Sequence, residues 1–313
     1  MTKRVVGVLV MAYGTPNHED EIESYYTHIR RGRKPSAEAL ADLTNRYQAI
    51  GGISPLANIT KQQAQAIEAQ MNALDESTTY RVYIGLKHIA PFIEDAVAEM
   101  AADGIKQAVT LVLAPHYSTF SVKSYNERAL EEANQHGIEL TQVEDWHLEP
   151  GFIQYWKEAI EDVWQQLSQK EQEAAHVIFS AHSLPEKILQ FGDPYPEQLK
   201  ESVVAIVKAT GIEHYSIGWQ SEGNTPDPWL GPDVQDLTRT IAEQQPVSAF
   251  IYAPIGFISD HLEVLYDNDV ECRVVCDELN IPYYRPEMPN TSPLFIEMLA
   301  KTCLRRYKDV SSE

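Results

Sequence analysis

Short apolar, β-branched runs alternate along the chain with longer segments whose apolar positions recur every three or four residues. The short runs predict buried strands over 5–12, 80–86, 108–114, 177–181, 215–219 and 250–254. The longer segments predict helices over 60–74, 92–102, 124–135, 152–167, 196–210 and 292–307. Alternation of this kind means parallel sheets flanked by helices, an α/β fold. Three ordered pairs of strand-end motifs then suggest a duplication. A-Y-G-T-P (12–16) pairs with A-H-S-L-P (181–185), I-G-L-K (84–87) with I-G-W-Q (217–220), and L-A-P-H-Y-S (113–118) with Y-A-P-I-G-F (252–257). Two similar domains are expected, 1–147 and 148–289, with a terminal helix over 290–308 folding back onto the first. Ligands of open α/β sheets bind beyond the carboxyl ends of the strands, where every one of these motifs sits.

Length and composition narrow the function classes. A chain of 313 residues has room for two domains. Its formal net charge of −21 repels nucleic acid and anionic membrane surfaces and attracts cations. The first apolar run is too short to span a bilayer and is followed by no cleavage pattern, so it reads as a strand, and the cytoplasm is the expected compartment. Three cysteines, Cys272, Cys276 and Cys303, are too few for a disulfide framework or a four-thiolate cluster, which leaves no iron–sulfur centre. No glycine-rich phosphate cradle follows the first strand, which sets nucleotide binding aside.

The chemistry-bearing residues gather at the strand ends. His182 ends its strand in S-A-H-S-L-P, the place that Tyr13 takes in the other half. A lone strand-end histidine is more often structural, and the duplication is what raises its standing; no G-x-S-x-G elbow supports a hydrolase. Asp260, Glu263, Asp267 and Glu271 follow at steps of three, four and four, which an α-helix places on one face. A solvated acidic face is the bland reading. A carboxylate row leading inward toward an imidazole is the sharper one, suited to a divalent cation such as Fe²⁺, Zn²⁺ or Mg²⁺. Opposed to it is the cluster Arg30, Arg31, Arg33 and Lys34, followed by Arg46 and Tyr47, which is either a balanced surface loop or a site for carboxylates. Trp229, Tyr13, Tyr47 and Tyr125 offer flat surfaces for a planar ligand.

Taken together, V-M-A-Y-G-T-P, Y-Y-T-H-I-R-R-G, R-Y-x-A-I-G-G-I-S-P-L, G-L-K-H, L-A-P-H-Y-S, S-A-H-S-L-P, W-Q-S-E-G-N-T-P-x-P-W-L-G-P and H-L-E-V-L-Y-D-N-D-x-E-C closely resemble ferrochelatases. The likeness spans residues 5 to about 305 and points to the monofunctional, water-soluble type of Gram-positive bacteria, which acts on coproporphyrin III. It implies two Rossmann-like domains of chelatase type with the porphyrin in a cleft between them. His182 and Glu263 would bind the metal, and Tyr13 would lie on the other porphyrin face as axial ligand to the inserted iron. Arg30, Arg46, Tyr47, Ser54 and Tyr125 would hold propionates and porphyrin edges, and Lys87, His88 and Trp229 would line the cleft. Asp267 and Glu271 would continue the row outward and hold a hydrated cation such as Mg²⁺. The implied reaction is insertion of Fe²⁺ into coproporphyrin III, giving coprohaem III and two protons, with iron as substrate and no tightly bound cofactor. A protoporphyrin IX enzyme, a cobalt chelatase, a haem carrier and a solute-binding protein are the rivals. The expected partners are the porphyrin and Fe²⁺, with no stable membrane insertion, transient contact with neighbouring haem-pathway enzymes, and a monomeric state.

Overall fold

The computed structural model describes residues 3–311. They divide into two compact units: residues up to Trp146 with those from Asn290 onward, and His147–Pro289. Each unit is built on one four-stranded sheet.

In the first unit the strands are β1 (Arg4–Ala12), β2 (Thr78–Leu86), β3 (Gln107–Val112) and β4 (Glu139–Val143). All neighbours pair in parallel, in the order β2-β1-β3-β4. β1 is central and apolar along nearly its whole length because helices cover both faces of the sheet. Leu9 and Met11 join a core with Ile93, Val97, Met100, Val122 and Ala129, contributed by the helices Ile93–Ala102 and Val122–His136. Val8 and Val10, on the alternate face, are also wholly buried. Burying an aliphatic side chain of this kind is worth roughly 1.5–3 kcal/mol.

The terminal helix, Pro293–Ser311, packs against the helix Leu56–Leu74 and against β4. Tyr307 donates to Gln107 Oε1 (3.2 Å), Arg306 to the Gln142 carbonyl (3.1 Å), and Lys308 pairs with the buried Asp75 at 3.3 Å. Bonds from Ser77, then from Tyr80 and Lys308, outweigh burial and hold the Asp75 carboxyl down to about 2.

The second unit carries β5 (Ala175–His182), β6 (Tyr215–Gln220), β7 (Ala249–Ala253) and the two-residue β8 (Tyr283–Tyr284). Their order is β6-β5-β7-β8, again all parallel. The arrangement of the first sheet is therefore repeated, and in each the strand order reverses beside the first strand, the place where such sheets bind ligands.

Two of the three motif pairs are equivalent in register: Ala12 faces Leu86 on β2, and Ala181 faces Trp219 on β6. The third pair is not. Val10 faces Leu111, but Phe179, its match, faces Ala253 rather than Phe250, a slip of three residues. The reason lies just past β7. Gly256 donates to the Ser180 carbonyl at 3.0 Å, and a Cβ on Gly256 would stand 2.3 Å from the Ala181 methyl. The chain crosses hard against the end of β5, an approach only glycine permits, and this delivers residues 257–263 beside His182.

The acidic row does not lie on an α-helix, as its steps suggested. Glu263–Cys272 is π-helical and continues as the α-helix Arg273–Leu279. A π-helix bonds residue i to i+5, so a turn takes more than four residues and the row drifts slowly around the axis. Glu263, Asp267 and Glu271 still fall toward one side.

Candidate functional site

In the first unit the ends of β1 and β2 continue their ladder past the strands. Lys87 donates to the Ala12 carbonyl (3.0 Å) and His88 to that of Tyr13 (3.2 Å). Tyr13 is consequently held half-exposed over the His88 ring, with centroids 4.5 Å apart. His88 Nδ1 lies 3.1 Å from His28 Nδ1, so one imidazole donates to the other. Burial, then the charge of Lys87, pushes His88 down to about 3, which leaves it neutral in ordinary buffers. Lys87 Nζ donates to Ser124 Oγ at 2.9 Å and lies 4.8 Å from the centre of the Tyr125 ring. Burial first, and Arg128 second, lowers it to about 8. Arg128 anchors this corner: its Nε and Nη2 clasp both Glu94 oxygens (2.7 and 2.6 Å), and its Nη1 donates to the Lys87 carbonyl at 3.0 Å.

Of the expected carboxylate-binding residues, Tyr125 lies in this corner beside Lys87, and the other four are carried by the segments between β1 and β2. Arg30 closes the helix Ile22–Ile29, stands over the Tyr26 ring and donates to the Arg33 carbonyl at 3.3 Å. Arg46 pairs with Asp42 one turn back in the helix Ala37–Ala49, at 3.1 Å. Tyr47 is buried, its hydroxyl 3.3 Å from Thr15 Oγ1 just beyond β1. Ser54 is buried and accepts from the Leu56 amide at the start of the next helix.

In the second unit His182 is the last residue of β5. Its Nδ1 hydrogen-bonds the Ser183 carbonyl, which can only accept, so Nδ1 carries the proton and Nε2 is the basic nitrogen. Nε2 lies 3.6 Å from Glu263 Oε1, a charge contact rather than a hydrogen bond. Burial alone would lower the His182 pKa, but the Glu263 carboxylate and the Ser183 carbonyl together raise it above the usual value. Burial likewise works against the Glu263 carboxylate, and the two imidazoles beside it hold it well below the usual carboxylate range. The second is His261: its Nε2 stands 3.5 Å from Glu263 Oε2 while its Nδ1 bonds the Ser259 carbonyl at 2.9 Å. Glu263 is therefore flanked by an imidazole on each oxygen, and both rings have their basic nitrogen turned toward it.

Farther along the π-helical segment, Asp267 accepts from Ser221 Oγ, and Glu271 Oε2 accepts from Gln235 Nε2 at 3.2 Å. Among the described residues no three His, Cys, Asp or Glu side chains gather closely enough to cage a metal. Trp229 folds over Gly223, donates to Thr225 Oγ1 (3.1 Å), and bridges by its backbone to Pro185, just beyond His182. The three thiols are buried, and burial raises Cys276 to about 11 and Cys303 to about 12, so they stay protonated.

His261, His28, Arg128 and Glu94 were not singled out by the sequence. His261 stands two residues before Glu263, a spacing that means nothing until the chain turns back at Gly256.

The ferrochelatase family model matches residues 5–307. This chain belongs to the ferrochelatase family. Curated relatives named coproporphyrin III ferrochelatase include that of Oceanobacillus iheyensis, 60% identical over 98% of this chain and 99% of its own length. The Bacillus subtilis relative of the same name is 59% identical over 98% and 99%. Among solved structures, SirB from Bacillus subtilis with Fe³⁺ superposes with a TM-score of 0.59 at 9% identity, covering 99% of this chain and 98% of that one. CbiX, the terminal enzyme of sirohaem biosynthesis in denitrifying bacteria, gives 0.54 at 11%, covering 96% and 98%. At such identities the structural likeness speaks for the fold alone. For this ferrochelatase-family chain, the activity is metal insertion into a porphyrin.

Proposed function

We propose that the chain inserts Fe²⁺ into coproporphyrin III, giving coprohaem III and two protons. The observation that carries this reading is the carboxylate of Glu263 held against the basic Nε2 of His182. A free porphyrin carries two inner N–H protons that must leave as iron enters. His182, with Nδ1–H fixed by the Ser183 carbonyl, presents Nε2 to accept a proton, and Glu263 stabilises the imidazolium that results. Glu263 and His182 also supply the donors that replace waters of the incoming iron. His261 offers a second imidazole on the same carboxylate, a route for passing the proton on.

The residues of the first unit take the porphyrin in this reading. Tyr13 is the axial phenolic ligand of the inserted iron. Arg30 and Arg46, with Tyr47, Ser54 and Tyr125, hold propionates, while Lys87 and His88 meet the macrocycle. Fixing the rim by remote contacts lets binding energy pucker the flat ring and turn the nitrogen lone pairs toward the metal. The substrate choice follows from charge, since coproporphyrin has four propionates and protoporphyrin two. Asp267 and Glu271 suit a hydrated cation such as Mg²⁺ that keeps most of its waters. No helix among the described residues is long and apolar enough to cross a membrane. We place the chain in the cytoplasm, as a monomer.

The test separates an enzyme from a haem carrier. Coproporphyrin III is incubated with Zn²⁺ with and without the protein. Protein-dependent conversion to the zinc porphyrin spectrum over many turnovers is expected. Tight binding of finished haem without turnover would replace the enzyme by a carrier.

A further inference from the structure

Gln220 ends β6, paired in register with His182, and its side chain is 1% exposed. Its Nε2 donates to the backbone carbonyl of Glu263 and to Asn268 Oδ1, both at 3.1 Å. Its Oε1 accepts from Ser180 Oγ at 2.7 Å and from Asn268 Nδ2 at 3.2 Å. The carboxamide has two donor hydrogens and two acceptor lone pairs, and all four are used. Glu263 and Asn268 are five residues apart, the two ends of one π-helical turn. Ser180 and Asn268 are wholly buried, so none of these bonds has water as a substitute.

We propose that Gln220 is the positioning residue that clips this π turn closed and thereby sets the Glu263 carboxylate against His182. An α-turn would pair Glu263 with residue 267 and rotate Asn268 about 100° around the axis, out of reach of the Gln220 amide. The same tightening would swing Glu263 away from the strand end. Ser221, held at a positive φ of 60°, adds a second grip by donating to Asp267. Two adjacent residues at the end of β6 therefore hold three residues of the π-helical segment. The inference rests on the metal-handling reading of His182 and Glu263.

Gln220→Met removes both donors at nearly constant volume, and Gln220→Glu keeps the acceptor for Ser180 Oγ while losing the donor to the Glu263 carbonyl. Both are assayed in the full chain for Zn²⁺ insertion into coproporphyrin III, with metal and porphyrin varied separately. The expected result is a metal KM raised about ten-fold and kcat lowered about ten-fold, with coproporphyrin affinity within about two-fold of the unsubstituted chain. An unchanged metal KM in either folded variant would overturn the proposal, as would parallel losses for metal and porphyrin, which mark general disruption. If the unsubstituted chain inserts no metal, it is the functional reading that has failed. Hydrogen exchange in that chain gives a reading independent of the variants. The Asn268 amide should be among the slowest of residues 263–272, and exchange as fast as an open loop would contradict the clip.

Discussion

β1 and β5 hold the same place in two sheets of the same strand order, yet they end in different chemistry. Beyond β1 and its neighbour β2 stand a phenol, a neutral imidazole and a lysine lowered to about 8, braced by Arg128 and Glu94. Beyond β5 stands a carboxylate between two imidazoles, braced by Gln220. The scaffold repeats while the loops that leave it differ. After β3 the chain runs on in register, whereas after β7 it turns three residues early over Gly256 and lays Phe257, His261 and Glu263 beside His182. In the proposed reading, a duplicated fold thus serves an anionic, planar ligand with one unit and a cation with the other.

The sharpest way to break this comparison is to strip the imidazole from β5. His182→Ala should lower insertion by on the order of 10³-fold, as loss of a general base and metal donor requires, with coproporphyrin affinity within about two-fold. Full activity in that variant, measured by stopped-time spectrophotometry, would remove His182 from the mechanism. Next in size is Glu263→Gln, expected to cost about 100-fold in kcat, and it carries a pH signature. With neutral His182 as the proposed base, the rate should fall as pH drops through its raised pKa. Without the Glu263 charge, burial is opposed only by the Ser183 carbonyl and the more distant Asp267, so that pKa falls and the acid limb of the profile should move to lower pH. A limb that stays in place or moves up would contradict the pairing. Smallest is Arg128→Met on the other side, which releases the Lys87 carbonyl. Porphyrin KM should rise about ten-fold while metal KM holds, a mirror image of the changes beyond β5. A rise in metal KM instead would dissolve the distinction between the units.

Much of this was legible in the chain. β1 and β5 are buried on both faces, so they read as unbroken apolar runs, and the paired strand-end motifs exposed the duplication. β4 (E-L-T-Q-V) alternates weakly at a sheet edge, and β8 is two residues long, so neither rose above its surroundings. His182 and Glu263 were visible as residues but their meeting was not, since it depends on the close crossing at Gly256. The π register was hidden as well, because steps of four fit an α-helix just as well. What decides it is tertiary: hydrogen bonds from β6, some forty residues away in sequence, to Glu263 and Asn268.

The central claim is ferrous insertion into the four-propionate porphyrin, and one competition measures it. The protein is mixed anaerobically with equal coproporphyrin III and protoporphyrin IX and limiting Fe²⁺, and the two products are separated and quantified. Coprohaem in large excess over protohaem is the predicted result. Equal yields, or protohaem in excess, would contradict the assignment of the basic residues of the first unit to extra propionates.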